Sequence, residues 1–430
     1  MTRNSVLADR IADSVAEGFA EQIAHTQALV GFPSTRGNEH AIQDFVASSF
    51  GKRGYAVERV GIDPAAIAAH PGGSPVAQGH SDEPIIVGRH RPRHAIGRSL
   101  ILQAHVDVVP TGPIDLWSHP PFHPVIEGGW LYGRGAADMK AGHAANLFAL
   151  DALRRIGLQP AADVILQSVV EEESTGNGAL MAHLAGYRAE AVLIPEPMDE
   201  RLVRANTGVL WFTIEVRGRP VHVRDMGEGA NAIDAVTRLV ANLRGLEEAW
   251  NAKKADHPHF EAIAHPINLN LGRIEGGDWA SSVPAWCRAS CRIALYPGVS
   301  AAEGAREVEA WIAAFVRSDP FLSRMPPRVS FDGFFVEGYV LWEGSEAEAL
   351  LAASHRSATG DELRSVTMPC YLDARVHALY ESVPALCYGP IGENIHGFDE
   401  RVSLVSLKRI TTAMALFVAQ WCGTEPLSAT

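Results

Sequence analysis

The stretch "DVILQSVVEEESTGNG", residues 163–178, joins an apolar run to three consecutive glutamates and a glycine-rich turn. Apolar runs of this length without polar alternation are typical of strands that are covered on both faces of a sheet. In an open α/β sheet, ligands bind outside the carboxyl ends of the strands. Glu171, Glu172 and Glu173 are therefore predicted to lie at the end of a buried strand, as solvated turn residues or as part of a metal site.

Three other apolar runs have the same character, at residues 99–109, 191–195 and 384–389. Segments with helical character, such as residues 138–156, lie between them, and residues 8–30 repeat apolar side chains every four positions. This alternation predicts an α/β fold built on a layered sheet.

The middle of the chain has a different pattern, because residues 208–336 read β-α-β-β-α-β, the order of a ferredoxin-like unit. We therefore predict an insertion of residues 208–336 in a first domain made of residues 1–207 and 337–430. Residues 61–97, rich in Pro, Gly and His, are predicted to form a long irregular excursion to which the sequence assigns no function.

Composition excludes several classes of protein. The 430 residues are 47% hydrophobic and 20% charged, as in globular enzymes, and the formal net charge of -13 disfavours a nucleic-acid partner. No uncharged apolar stretch reaches the roughly 18 residues of a membrane span, and the N-terminus lacks the apolar core of a signal peptide. Five scattered cysteines are typical of a reducing compartment, so we expect a cytoplasmic protein.

Candidate ligands recur at the ends of the predicted strands and at a predicted helix start. A His-x-Asp pair is weak evidence alone, but several such placements converging on one edge favour a metal site. Imidazoles with three or more carboxylates suit zinc, with cobalt or manganese as substitutes, and are sufficient for two ions that share a bridging carboxylate. Besides the three glutamates, the candidates are His105, Asp107, Asp138, Glu196 and His396.

Several segments resemble, in order along nearly the whole chain, the di-zinc deacylase and peptidase family of acetylornithine deacetylase, succinyl-diaminopimelate desuccinylase, aminoacylase and carboxypeptidase G. The segments are "HVDVVPTG", "GRGAADMKAG", "VVEEES", "PEP", "GRPVHVRDMGEGANAI" and "GENIHGFDE". The resemblance implies a zinc-peptidase-like catalytic domain, with a mixed central sheet flanked by helices, and an inserted ferredoxin-like dimerisation or lid domain.

The resemblance also implies two Zn²⁺ ions per subunit and a distribution of their ligands. His105 and Glu196 would complete one site, Glu173 and His396 would complete the other, and Asp138 would bridge the two ions. Cobalt or manganese could replace zinc.

Three further roles follow from the resemblance and the chemistry. Glu172 would be the general base, and Asp107 would accept the other ring N–H of His105. His222 would reach the active site of a partner subunit and stabilise the developing oxyanion, which implies a homodimer and a closing lid. Glu171 stays open between a supporting and a structural role.

The sequence departs from the family pattern where relatives bind a substrate carboxylate. Ser281 stands at a usual Asn position, and Ala294 stands where an Arg is expected. Alanine cannot pair with a carboxylate, so Arg292 is a possible substitute, and Arg375 is a further candidate for substrate binding.

The function that the resemblance implies is hydrolysis of a linear amide in a small molecule. The substrate is either an N-acyl amino acid or a carboxylate-free formylaminopyrimidine, whose flat ring Trp279 or Trp286 could cover. One alternative is a carbamoyl-amide hydrolase of the ureidopropionase type, although such relatives generally have His at the position of Glu196. Another is a metal-binding homologue without catalysis, which would be expected to lack Glu172.

Overall fold

The computed structural model describes residues 3–427, which contain short and long strands distributed among five sheets. In chain order the strands are β1 (Ala56–Val60), β2 (Ile85–His90), β3 (Leu100–His105), β4 (Val125–Glu127), β5 (Trp130–Tyr132), β6 (Leu158–Pro160), β7 (Val164–Val169), β8 (Ala191–Ile194), β9 (Leu202–Asn206), β10 (Gly208–Arg217), β11 (Leu269–Gly276), β12 (Trp286–Leu295), β13 (Arg328–Val336), β14 (Ser365–Met368), β15 (Ala385–Cys387), β16 (Gly392–Glu393), β17 (Arg401–Ser403) and β18 (Thr424–Pro426).

The α-helices of residues 3–427 are, in the same order, α1 (Arg3–Val30), α2 (His40–Lys52), α3 (Pro64–Ala69), α4 (Ala141–Arg155), α5 (Asn177–Leu184), α6 (Ala232–Asn251), α7 (Ala301–Ser318), α8 (Glu346–Thr359), α9 (Ala374–Tyr380) and α10 (Leu404–Trp421). Capping side chains explain where two of these helices begin. The side chain of Asn231 accepts hydrogen bonds from the first turn of α6, and Ser300 forms a capping box with Glu303 at the start of α7.

The central sheet has six strands in the order β1-β2-β7-β3-β8-β15. Strands β7, β3, β8 and β15 run parallel to one another, whereas β1 and β2 are antiparallel to their neighbours. Every residue of β3 and β7 is buried, because helices such as α4 and α5 pack on the sheet. The prediction of an α/β fold with a mixed sheet flanked by helices is confirmed.

Residues 208–336 form a separate four-stranded antiparallel sheet in the order β11-β12-β10-β13, with α6 and α7 packed on it. This is the strand order of a ferredoxin-like unit. The sheet has its own hydrophobic core, which includes Phe212, Leu239 and Val308. The chain enters this unit at Gly208 and leaves it after Val336. The entering and leaving segments approach closely at Gly208 and Gly338, where a side chain on either residue would clash with the backbone of the other.

The prediction that residues 61–97 are irregular is wrong, because the segment contains α3 and β2. Strand β2 lies inside the central sheet between β1 and β7, and its apolar residues Ile85, Ile86 and Val87 are fully buried. The remainder of the segment packs beside the glutamates. Ser74 donates its hydroxyl to the carbonyl of Thr175 (2.7 Å) and accepts a hydrogen bond from the main chain of Phe335 in β13 (3.1 Å).

The helices and the cysteines bear on two predictions made from composition. No helix within residues 3–427 is both long and apolar enough to cross a membrane. All five cysteines are free thiols, and four of them are buried, as expected for small apolar residues.

Candidate metal centre

Acidic and imidazole side chains gather where the parallel strands of the central sheet end. His105 is the last residue of β3, Glu172 and Glu173 follow β7, and Glu196 follows β8. The Nε2 atom of His105 lies 3.8 Å from Oε1 of Glu196 and 3.9 Å from Oε2 of Glu172. The carboxyl ends of three neighbouring strands therefore supply one cluster, as the sheet topology requires.

Asp138 lies between two imidazoles. Its Oδ1 atom is 3.1 Å from Nε2 of His105, and its Oδ2 atom is 3.4 Å from Nε2 of His396. Glu173 approaches the second imidazole from another side, with Oε2 3.1 Å from Nε2 of His396. The two oxygens of one carboxylate thus face different histidines.

The charges and the unpaired atoms of this cluster fit divalent cations. Within the described residues, Oε1 of Glu196 is buried and has no hydrogen-bond partner. The carboxylate of Glu173 raises the pKa of His396 to about 11, which reflects an excess of negative charge around that imidazole. Cations relieve both features, because they pair with buried carboxylate oxygens and with neutral imidazoles. His105, Asp138 and Glu173 offer ligand atoms that all lie within 4.8 Å of one another.

Glu400, which the sequence analysis did not single out, holds the loop that carries Asp138. Its Oε1 atom accepts hydrogen bonds from the main-chain N–H groups of Ala137 (3.0 Å) and Asp138 (3.1 Å). Its Oε2 atom accepts from Gly135 N–H (3.1 Å) and from Arg134 (2.6 Å). The only sequence signal was its position at the end of the segment "GENIHGFDE".

Asp107 has a different contact from the one predicted. Nδ1 of His105 hydrogen-bonds to the main-chain carbonyl of Asp107 at 2.9 Å, whereas the nearest carboxylate oxygen is 3.6 Å away. The carboxylate instead accepts hydrogen bonds from the main-chain N–H groups of Glu172 (3.3 Å) and Glu173 (3.1 Å). Asp107 therefore fixes both the ring of His105 and the backbone of the two glutamates.

The role of Glu171, which the sequence left open, is resolved by its contacts. Its side chain is fully buried and accepts two hydrogen bonds from Arg36, at 2.6 and 2.8 Å. It also accepts from the main chain of Ser81 (2.7 Å) and from the hydroxyl of Thr175 (2.8 Å). Glu171 therefore anchors the loop that bears Glu172 and Glu173, and its Oε2 atom also lies 3.6 Å from Nε2 of His80.

A cavity of about 1020 Å³ lies between the central sheet and the inserted sheet. We call its lower wall the floor; it consists of Asp138, Glu172, Glu173, Glu196 and His396. We call its upper wall the roof; it is the face of the inserted sheet that carries Val209, Trp211, Asn270, Ser290, Arg292, Asp332 and Phe334. A cavity of this size admits a small molecule.

Ala294 and Arg292 occupy the same face of β12. Ala294 is fully buried opposite Val209, which lines the cavity and in turn pairs with Val336, so this row of the inserted sheet is apolar. Arg292 lines the cavity one row further along β12, opposite Trp211. Its Nη2 atom donates to the carbonyl of Pro369 at 3.2 Å, and this contact ties the roof to the first domain.

His222 and Ser281 lie together at an exposed corner of the inserted unit. Both are exposed, the main chain of Val223 donates a hydrogen bond to the carbonyl of Ser281, and neither residue lines the cavity of its own chain.

The two tryptophans considered for ring binding do not line the cavity either. Trp279 is 73% exposed, and the half-buried Trp286 pairs with Asp278. The tryptophan in the cavity is Trp211, which the sequence analysis did not select.

The expectation that Arg375 binds substrate is wrong, because its side chain is fully buried outside the cavity. Its Nη2 atom donates to the carbonyl of Gly72 at 2.6 Å, and its guanidinium lies over the rings of Tyr371 and Tyr380. Arg375 therefore holds the segment before β2 in place.

Known proteins resemble both the sequence and the fold. The chain is 30% identical over 344 residues to an N-formyl-4-amino-5-aminomethyl-2-methylpyrimidine deformylase of Halalkalibacterium halodurans, covering 76% of this chain and 79% of the relative. It is 29% identical to a succinyl-diaminopimelate desuccinylase of Dinoroseobacter shibae, covering 73% and 81%. The dipeptidase Dug1p of Saccharomyces cerevisiae has the same fold, with a TM-score of 0.78 at 14% identity over 96% of this chain and 98% of that chain.

A sequence profile assigns most of the chain to one family. The profile of peptidase family M20/M25/M40 matches residues 101–420, a range that includes every floor residue. The strand topology, the acidic cluster and the relatives agree with this match. The chain belongs to peptidase family M20/M25/M40 and is a hydrolase that acts on amide bonds.

Proposed function

We propose that the chain hydrolyses an N-formyl amide whose amine carries a flat ring and no carboxylate, as the name of the deformylase relative describes. The observation that carries this proposal is the apolar row of Val209, Ala294 and Val336 in the inserted sheet, of which Val209 lines the cavity. An arginine at position 294 would bind a substrate carboxylate beside the floor, whereas alanine offers no charge there. A neutral formamide suits this surface better than an N-acyl amino acid.

Five floor and strand-end residues are proposed to hold two metal ions. His105 and Glu196 would bind one ion, Glu173 and His396 would bind the other, and Asp138 would bind both. This proposal is supported by the two short distances from Asp138 to the imidazoles. The nitrogen and oxygen ligands suit zinc, and cobalt or manganese are alternatives. When bound, such ions polarise a substrate carbonyl and lower the pKa of water.

Glu172 is proposed to move the protons of the reaction. It lines the cavity, and burial raises the pKa of its carboxyl well above the usual range, which makes its carboxylate a stronger proton acceptor. Glu172 would accept a proton from the attacking water and deliver it to the amide nitrogen as the carbon–nitrogen bond breaks. The water oxygen would leave in formate, and the amine would leave with the delivered proton.

We also propose a homodimer in which His222 of each subunit completes the site of the other. The ring supports this role, because Nδ1 of His222 accepts a hydrogen bond from the main chain of Arg224 at 3.1 Å. A neutral ring bonded in this way carries its proton on Nε2, which is then available as a donor to an oxyanion. The inserted unit of residues 208–336 is the proposed dimerisation and lid domain.

The cytoplasm is the proposed location. The proposal is supported by the five free thiols, which would persist in a reducing compartment.

A second candidate function is the deacylation of N-acyl amino acids. It is favoured by Arg292, because burial lowers the pKa of this guanidinium and no carboxylate among residues 3–427 pairs with it. A substrate carboxylate would supply the missing partner.

A substrate panel distinguishes the two candidates. The zinc-loaded and cobalt-loaded protein is assayed with N-formyl-4-amino-5-aminomethyl-2-methylpyrimidine, with an N-acetyl amino acid and with N-succinyl-diaminopimelate. The first proposal expects the highest kcat/KM on the formamide. A higher kcat/KM on either carboxylate-bearing substrate would contradict it and would support the second candidate.

A further inference from the structure

The roof contains an aromatic surface that the metal chemistry does not use. Trp211 of β10 lines the cavity, and its indole meets the ring of Phe334 edge to face, with ring centroids 5.2 Å apart. Phe334 packs in turn against Tyr371 of the first domain, at 4.5 Å between centroids. The indole is therefore held in one orientation while it remains half-exposed to the cavity.

A bulge in β13 creates the space for this indole. Between the pairs Leu210–Phe335 and Phe212–Phe331, the β13 side has two more residues than the β10 side. Gly333 lies in this bulge, and a Cβ atom built on it would be only 2.4 Å from Cε3 of Trp211. Because the glycine has no side chain, the indole lies against the strand, and bulges of this kind re-aim side chains beside active sites.

The same bulge also carries a carboxylate of the cavity wall, that of Asp332. Oδ2 of Asp332 accepts a hydrogen bond from the hydroxyl of Thr213 at 2.7 Å and lies 3.5 Å from the guanidinium of Arg288. Asp332 lines the cavity, and within residues 3–427 no hydrogen bond reaches its Oδ1 atom. The roof thus offers a flat aromatic surface and one carboxylate oxygen that can accept a hydrogen bond.

We propose that this part of the roof is a subsite for an amino-substituted nitrogen heterocycle, with Trp211 covering the ring and Asp332 accepting a hydrogen bond from its amino group. The indole favours flat aromatic ligands, and the carboxylate favours those with an N–H donor over plain hydrocarbon rings and over anions. The proposal rests on the proposed deformylase function and adds the residues that select the amine.

The test compares three formamides that differ only in the amine: the formylaminopyrimidine, N-formylbenzylamine and N-formylbutylamine. For Asp332→Asn, we expect kcat/KM to fall by roughly 10 to 100-fold on the formylaminopyrimidine and to stay within about threefold on N-formylbenzylamine. For Trp211→Leu, we expect a loss of roughly tenfold on both ring substrates and little change on N-formylbutylamine.

Two residues of the same inserted unit provide matched controls. Asp234 is exposed on α6 and does not line the cavity, and Trp279 is exposed outside the cavity, so Asp234→Asn and Trp279→Leu should leave all three activities unchanged. A loss of selectivity in the Trp279 variant that matches the loss in the Trp211 variant would overturn the assignment of the ring surface.

A measurement on the wild-type protein covers the case in which a variant fails to fold. An aminopyrimidine without the formamide group should inhibit hydrolysis of N-formylbutylamine competitively, and the same ring without the amino group should inhibit at least about tenfold more weakly. Equal inhibition by the two rings would overturn the role of the amino group.

The outcomes separate the subsite from the reaction. If the wild-type protein hydrolyses none of the three formamides, the proposed deformylase function fails and the subsite for its amine fails with it. If it hydrolyses all three and Asp332→Asn lowers them equally, the reaction stands and the subsite is wrong.

Discussion

The floor and the roof of the cavity lie on different sheets and hold their charged side chains differently. On the floor side, the Glu171 carboxylate accepts hydrogen bonds from Arg36, Ser81 and Thr175, and Glu400 accepts four around the Asp138 loop. In the roof, Asp332 accepts one hydrogen bond, from Thr213. The loops that carry the floor residues are thus held by buried carboxylates whose hydrogen bonds are made within the chain, whereas Asp332 in the roof keeps one oxygen without a hydrogen bond among residues 3–427.

This difference separates the reaction from the choice of substrate. Ligands and a proton acceptor must hold their geometry closely, and neighbouring hydrogen bonds supply that constraint. A surface that selects an amine needs unpaired groups that the substrate can satisfy. Changes in the floor should therefore affect all substrates alike, and changes in the roof should affect them unequally.

The largest expected effect is on the floor, at Glu172. Glu172→Gln removes the proton acceptor with little change in volume, so turnover of every substrate should fall by roughly 10² to 10⁴-fold or more, while metal content stays unchanged. Steady-state assays with metal analysis of the same preparation check this. A variant with near wild-type turnover would eliminate Glu172 as the base.

The next effect concerns His222, which lies in neither wall of its own chain. His222→Ala should lower kcat by roughly 10² to 10³-fold, because it removes a donor to the oxyanion. Mixing inactive His222→Ala and Glu172→Ala subunits should restore about a quarter of wild-type activity, since half the dimers are mixed and each has one intact site. Absence of recovery after demonstrated subunit exchange would exclude a shared site.

The third prediction compares how much two ion pairs, one beside each wall, contribute to the free energy of unfolding. Glu171→Gln should lower the free energy of unfolding by about 2 to 4 kcal/mol, because it leaves Arg36 without its buried partner. The matched change Glu275→Gln, in an exposed pair with Arg273, should cost less than about 1 kcal/mol. Urea denaturation of the zinc-loaded proteins measures both, and equal losses would contradict the difference between floor and roof.

The smallest effect is expected at Arg292 in the roof. Arg292→Gln should change kcat/KM for the carboxylate-free formamide by less than about fivefold, because that substrate has no group for the guanidinium to neutralise. The same variant tested on N-acetyl amino acids shows whether the residual activity there depends on Arg292. A loss of more than about a hundredfold on the formamide would mean that Arg292 binds this substrate directly.

Much of the floor could be predicted from the sequence, because buried parallel strands are continuous apolar runs and their ligands follow directly. His105 and Glu196 were found in this way. Partners distant in sequence were not: Arg36 meets Glu171 across 135 positions, and no local pattern marks the pair. Strand β2 was missed because Pro and His residues flank its short apolar core.

The roof was predicted less well, for a physical reason. Trp279 and Trp286 were selected because they lie on either side of Ser281 in the sequence, but sequence proximity does not determine which face of a sheet a side chain occupies. Trp211 faces the cavity because of the register of β10 and a bulge in β13. A bulge shifts the alternation of side chains, and single-sequence periodicity does not reveal it.

The most direct test of the proposed two-metal centre is to locate the metal ions in crystals of the zinc-loaded protein by anomalous diffraction. Two anomalous peaks per chain are expected, with Asp138 between them, His105 and Glu196 at one peak, and Glu173 and His396 at the other. A single peak in a fully active preparation, or two peaks that Asp138 does not join, would contradict the proposed two-metal floor.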